Sequence, residues 1–376
     1  MFCMGDFSSS LRMESWLRFA NLQLPARLGN ALLAQFGDPD ALFSASPADL
    51  ESVPGMTANQ IARIADPSFL PTQAQLRFME LRQVRLITCQ DPGYPRNLRD
   101  IADPPAALFV RGSLEERDRF SVALVGTRQA SPYGRSVTEK LARDLADAGL
   151  TVVSGGALGI DSAAHRATVN AGGRTLVVLG CGLDVPYPRE NQTLFQQIAD
   201  EGHGAVLSEF PLGATPEPWR FPLRNRIISG LAMGVVVIEA GAQSGALLTA
   251  SIAAEQGREV MAIPGNVDRP HSRGSNGLIK DGAALVEEAS DVLRVLNVLS
   301  LEAPRPSQTS APPRLHHDLP ELQRRMLENL SLVPKHLDAL AADVQVPLVE
   351  VSVQMTMLEL SGLVRRLPGN CYIRVL

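Results

Sequence analysis

Residues 219–230 read WRFPLRNRIISG, with three arginines and an asparagine beside a tryptophan and a phenylalanine in a chain whose formal net charge is -5. A guanidinium forks onto phosphate oxygens and also lies flat on an aromatic ring, so the pattern suits an anion, a flat ring system, or a molecule carrying both. A helix is expected from about Arg224 to Met233, which puts Arg224, Asn225 and Arg226 in its first turn. Cations there oppose the helix dipole unless an anion joins them. The sequence leaves internal pairing with Glu209, Glu217 or Glu239 equally open.

Three other segments have the composition of anion-binding turns. SGGALGIDSAAH (154–165) pairs glycines ahead of a helix, so backbone N–H groups around Ser154, Gly155 and Gly156 could form a nest for one phosphate. GTRQASPYG (126–134) aims Arg128 over the same kind of edge, with Ser131 and Pro132 as N-cap and first residue of the next helix. EAGAQSGALLTASIAAEQG (239–257) adds a fourth entry at Ser244. No GxGxxG fingerprint is present, so dinucleotide binding at the first turn is not specified. Asp161 and His165, four apart, could be an acid–base pair or two metal ligands. The favoured alternative has Asp161 capping or entering the helix and His165 packing or bonding back to a loop.

These turns need a sheet to bring them together. From residue 121 onward, continuously apolar runs (SVALV, TVVS, TLVVL, AVLS, GVVVI and EVMAI) alternate with helical segments. That pattern means a doubly wound α/β fold with a parallel sheet buried on both faces and sites at the carboxyl ends of the strands. Four regions are expected: a helical unit (10–80), the Rossmann-like domain (81–299), a Pro- and Ser-rich linker (300–318) and a winged helix (319–376). In the helical unit LESVPGMTANQIARI is similar to a helix-hairpin-helix. Asp49 and Glu51 beside its turn disfavour phosphate and Arg63 alone favours it, so a structural or protein-contact role is preferred. The third helix of the winged unit, PLVEVSVQMTMLEL, has two Glu and no Lys or Arg, which disfavours reading of a DNA groove.

Composition sets outer limits. An apolar fraction of 45% supports large cores. An acidic net charge excludes coating of nucleic acid by bulk charge, so any polyanion site must be local. Cys3, Cys89, Cys181 and Cys371 are widely spaced, which indicates neither a disulfide framework nor a zinc site. No leader or membrane span is evident, and a cytoplasmic protein is expected.

In their order, GTRQASPYG, SGGALGID, VLGCGLDVPYP, LSEFP, FPLRNRIISGL, SGALLTA and SNGLIKDGA resemble the signature blocks of the DNA-processing protein A family, also called DprA or Smf. The resemblance implies a bacterial homodimer that binds single-stranded DNA on an extended Rossmann-type domain. It also implies loading of the recombinase RecA onto DNA taken up in natural transformation, with no catalysis and no cofactor or metal. By position it assigns the DNA groove to Arg128, Ser154, Gly155, Gly156, Arg220, Phe221, Arg224 and Asn225, with Arg226 and Ser244 beside them. Asn276, Leu278, Ile279 and Leu285 fall to the dimer and RecA contacts. Leu223 stands where many relatives have a basic residue, so Arg220 or Arg226 would have to compensate. A nucleotide-processing enzyme built on Asp161 with His165 or Glu239, and a sequence-reading regulator, are the competing classes.

Overall fold

The computed structural model describes residues 5–185, 187–298, 319–331, 334–367 and 369–374. The expected linker (300–318) and Cys3 lie outside the described residues.

All six apolar runs form parallel strands, and three strands not foreseen in the sequence extend the sheet to nine. They are β1 (Arg85–Thr88), β2 (Ala107–Gly112), β3 (Ser121–Val125), β4 (Thr151–Ser154), β5 (Thr175–Leu179), β6 (Gly204–Ser208), β7 (Gly234–Val237), β8 (Glu259–Ala262) and β9 (Ala284–Leu285). Their order is β1-β2-β6-β5-β4-β3-β7-β8-β9. The pairs β1/β2 and β2/β6 are antiparallel and the rest parallel. Chain order therefore reverses between β3 and β7, the switch point at which doubly wound sheets open a crevice.

Alternation along β3 explains why the runs are apolar throughout. Ala123 and Val125 enter the core shared with Ile227, Ile228 and Leu231, whereas Val122 and Leu124 enter the opposite one with Leu141 and Leu145. Helices thus cover both faces.

The N-terminal helices, Gly5–Asn21 to Gln73–Leu81, make a third core that includes Val84, Leu86, Ala107 and Phe109 of the antiparallel edge. Short helices Pro47–Glu51 and Ala58–Ala65 flank the Pro-Gly turn. Arg63, its one cation, donates to the Leu22 carbonyl and lies over the Phe69 ring, while Asp49 closes a capping box with Ser46. The hairpin's one cation is thereby committed to packing.

The winged unit has its own core around Leu340, Met355 and Leu358. Helices Glu321–Glu328, Leu337–Val344 and Leu348–Leu360 precede strands Val364–Leu367 and Cys371–Arg374, in the order the periodicity indicates. Val349, Val353 and Met357 form an exposed stripe on the third helix.

Candidate functional site

The helix that carries the opening motif starts four residues before the expected position, at Arg220, and runs to Leu231. Pro222 is the reason for the difference: in a first turn, backbone N–H groups have no intrahelical partner, so proline fits inside the helix rather than ahead of it. Arg224, Asn225 and Arg226 consequently occupy the second turn, beyond the reach of the dipole effect expected there.

The three arginines of the motif are buried and hold internal partners, and Arg224 alone of them still lines the cleft described below. Arg224 is buried, and its Nη1 donates to the Gly155 carbonyl at 2.6 Å and to the Val178 carbonyl. Burial pushes its guanidinium down to about 10, so it stays charged at neutral pH. Arg226 is buried between Glu209 and Asp103, the latter at 3.4 Å. Arg220 donates to the Thr215 carbonyl and to Gln23 Oε1 and lies over Phe210 and Trp219. Internal pairing, left open by the sequence, is the outcome for this cluster.

The glycine nest is corrected in the same way. Ser154, Gly155 and Gly156 are buried, and Ser154 Oγ donates to the Leu124 carbonyl at 2.6 Å. A Cβ on Gly155 would collide with the Arg224 guanidinium, so this glycine makes room for arginine instead of phosphate. Gly156 adopts φ +68°, and its missing Cβ clears Val177 and Phe195. The nest already has an anion: Ala157 N–H donates to the buried Asp161 carboxylate at 3.3 Å. Glu239 plays the matching part at the helix after β3, accepting the Ser131 N–H at 2.9 Å where Gly134 leaves space. Two turns that look anion-seeking in the sequence are thus filled by the chain's own carboxylates.

His165 is buried and packs internally, and its Nδ1 bonds to Thr175 Oγ1 at 2.6 Å, on strand β5 and not on a loop. Because that hydroxyl's single proton goes to the Val152 carbonyl, His165 Nδ1 carries the hydrogen and donates. Burial, with the Arg224 charge near it, pushes His165 down to about 3 and keeps it neutral. Burial also raises Asp161, against the pull of Arg224.

What remains open is a cleft of about 470 Å³ at the β3/β7 switch point, between the ends of Val125 and Gly241. Arg128 stands exposed on its rim with its guanidinium 5.4 Å from the centroid of Phe221. Phe221 rests against Gly180, where a side chain would not fit, and its ring is 5.6 Å from that of Tyr187. Asn225 also lines the cleft, half-buried. Opposite, Ser244 caps the next helix: its hydroxyl accepts the Ala246 N–H at the start of Gly245–Glu255, a helix with no acidic residue in its first turn. Gln243, Leu248 and His271 complete the walls, and Tyr187 lines a smaller pocket of about 100 Å³ that shares Arg128, Phe221 and Arg224; none of the four is singled out by the sequence. For Tyr187 a signal is present in VPYP, an aromatic residue between two prolines in the loop that follows β5. The structure thus brings Arg128, Phe221, Asn225 and Ser244 together, along with Arg224 and the Gly155 backbone at the floor, and leaves Arg220 and Arg226 outside.

Of the contact residues assigned to the later block, Asn276 is tied to the Gly265 N–H and carbonyl. Leu278 and Ile279 are partly buried against the central core. Leu285 alone is exposed, on edge strand β9. Among the described residues, no group of three or more His, Cys, Asp or Glu is placed to hold a metal ion, and no helix is long and apolar enough to cross a membrane.

A doubly wound sheet with an aromatic and cationic cleft at its switch point, a helical unit on its antiparallel edge and a winged helix define a Rossmann-like α/β protein with helical and winged-helix additions. Over residues 85–297 the sequence matches the family described as DNA recombination-mediator protein A, and over residues 309–370 the DprA winged helix domain. The chain belongs to the DNA recombination-mediator protein A family. It is 37% identical over 321 residues to Protein Smf of Escherichia coli (strain K12), covering 85% of each chain. It is similar to the X-ray structure of DNA processing protein A (DprA) from Streptococcus pneumoniae, with a TM-score of 0.57 and 36% identity over 74% of this chain and 97% of that one. DNA processing protein A from Helicobacter pylori, described for its unique single-stranded DNA binding mode, matches with a TM-score of 0.51 and 31% identity, over 57% of this chain and 96% of its own.

Proposed function

We propose that the protein binds single-stranded DNA in the switch-point cleft, protects it, and passes it to the recombinase RecA in homologous recombination or natural transformation. The observation that carries this reading is the pairing of exposed Arg128 with the Phe221 ring beside an uncluttered helix start at Ser244. Arg128 supplies counter-charge to a phosphate, Phe221 and Tyr187 offer ring faces to an unstacked base, and the Gly245 end of the helix faces a second phosphate. Duplex DNA keeps its bases stacked inside and cannot use the rings. Relatives named for DNA processing, and one for single-stranded DNA binding, support the same assignment.

The protein acts by binding and not by catalysis in this reading, since Asp161 and His165 are each buried and bonded internally. Leu285 on the β9 edge is the residue best presented to a second copy or to RecA, while Asn276 supports the Gly265 turn instead.

Titration of the full chain with single- and double-stranded oligonucleotides at several salt concentrations tests the assignment. Arg128→Ala should weaken single-strand binding roughly 10- to 100-fold, the loss expected for one charge-assisted contact. The salt slope should fall by about 0.7 per lost phosphate contact. Unchanged affinity and slope would remove the cleft from consideration, and equal affinity for duplex would remove the preference for one strand.

A further inference from the structure

We propose that a second cleft, between the N-terminal helices and the Rossmann-like domain, is a base-binding subsite in which Trp219 stacks on a nucleobase of the strand held at Arg128 and Phe221. The inference rests on the single-strand reading above and extends its footprint across the domain boundary.

The chain has two tryptophans, and their environments are opposite. Trp16 is 3% exposed in the helical core, whereas Trp219 is 53% exposed. Leu223, one turn further along the same helix face, is 48% exposed, so the indole is part of an apolar patch and not an isolated surface residue. Trp219 and Leu223 wall one side of a cleft of about 430 Å³ whose other side is Phe19, Leu24 and Pro25. The indole is already fixed in place. Phe210 meets it edge-on at 6.3 Å and 88°, and the Arg220 guanidinium sits 4.9 Å from its centroid. Arg220 is in turn braced across the domain boundary by Gln23. A ring held this way binds with little further loss of rotamer freedom.

Charge selects what enters. The floor holds the Asp103 and Glu209 carboxylates around Arg226, and Arg27 stands exposed among the lining residues. Carboxylates at depth repel phosphate, and a cation in the outer wall attracts it. The matching ligand places a neutral flat group inward and its anionic backbone outward, as a nucleotide with a splayed base does. Phe221, two residues after Trp219, serves the first cleft. At about 100° per residue the two rings leave the first turn on opposite sides, so one strand crossing that turn reaches both.

Trp16→Phe leaves Trp219 as the single indole of the full chain, and its emission can be followed while binding of an end-labelled oligodeoxycytidylate is read by anisotropy. Emission should be quenched in step with saturation. Trp219→Ala should raise Kd roughly 5- to 100-fold at an unchanged thermal midpoint, and Trp219→Phe should retain most of the affinity. Saturable binding with unaltered emission, and a Kd indifferent to Trp219→Ala, would overturn the subsite while leaving the Arg128 cleft standing. Absence of saturable binding to any oligonucleotide would overturn both.

Discussion

Arg224→Ala is expected to lower the stability of the central domain by about 3–5 kcal/mol, the cost of breaking a buried charge arrangement by removing one partner. The substitution strips two carbonyls, Gly155 and Val178, of their donor and leaves the Asp161 carboxylate buried without its countercharge. For a domain of this size the thermal midpoint should fall by roughly 10 °C. Asp161→Asn in the same background should recover part of the loss, because the uncompensated charge is then gone. Single-strand affinity of the protein that remains folded should change less than in Arg128→Ala. Full stability with lost DNA binding would instead make Arg224 a ligand contact and return it to the role its sequence position suggests.

Acid should destabilise the protein through His165. Its pKa is about 3 in the fold against 6.5 for the unperturbed ring, so the unfolded chain binds the extra proton. The contribution is fully present above about pH 6.5 and is lost progressively as pH falls toward 3. Between about pH 6.5 and 4.5 the loss is roughly 2 kcal/mol. Asp161 works the other way: a raised carboxyl takes up its proton first in the folded state, so its contribution grows as pH falls. His165→Asn, whose amide can still donate to Thr175, should remove the histidine's part of the slope. Urea midpoints of both proteins across this range read the difference directly, and parallel curves would exclude His165 as the source.

The sheet is legible in the sequence because a parallel strand buried on both faces has no polar alternation to hide it, as in VALV or GVVV. β1 and β2 are harder, since RLIT and ALFVRG lie among Pro-rich turns and pair antiparallel at an edge, outside the βα rhythm. The winged unit is legible in its helix spacing and in its PGN turn. The arginine cluster is misread when charge is weighed ahead of helical phase. Arg224 lies three, four and seven residues before Ile227, Ile228 and Leu231, which is the core face of the helix. Phase alone turns it inward. Its landing place at Gly155 is invisible in the sequence, because that contact joins residues 69 apart. Arg226 meets Glu209, one of the partners the sequence leaves open, and Asp103, which it does not indicate. Arg128 and Phe221 can be identified by position in a loop and at a helix start, although their contacts with each other and with Gly180 and Tyr187 are long-range.

Asp161 and Glu239 also bear on what competes for the cleft. They already accept the Ala157 and Ser131 N–H groups at two strand-end turns, so a phosphate brought to either turn meets a carboxylate instead of free donors. A monomer that concentrates its charge at one end gains little there, whereas a polymer spreads single charges along a rim and engages several weak points together. A large excess of AMP should therefore leave a bound oligonucleotide in place.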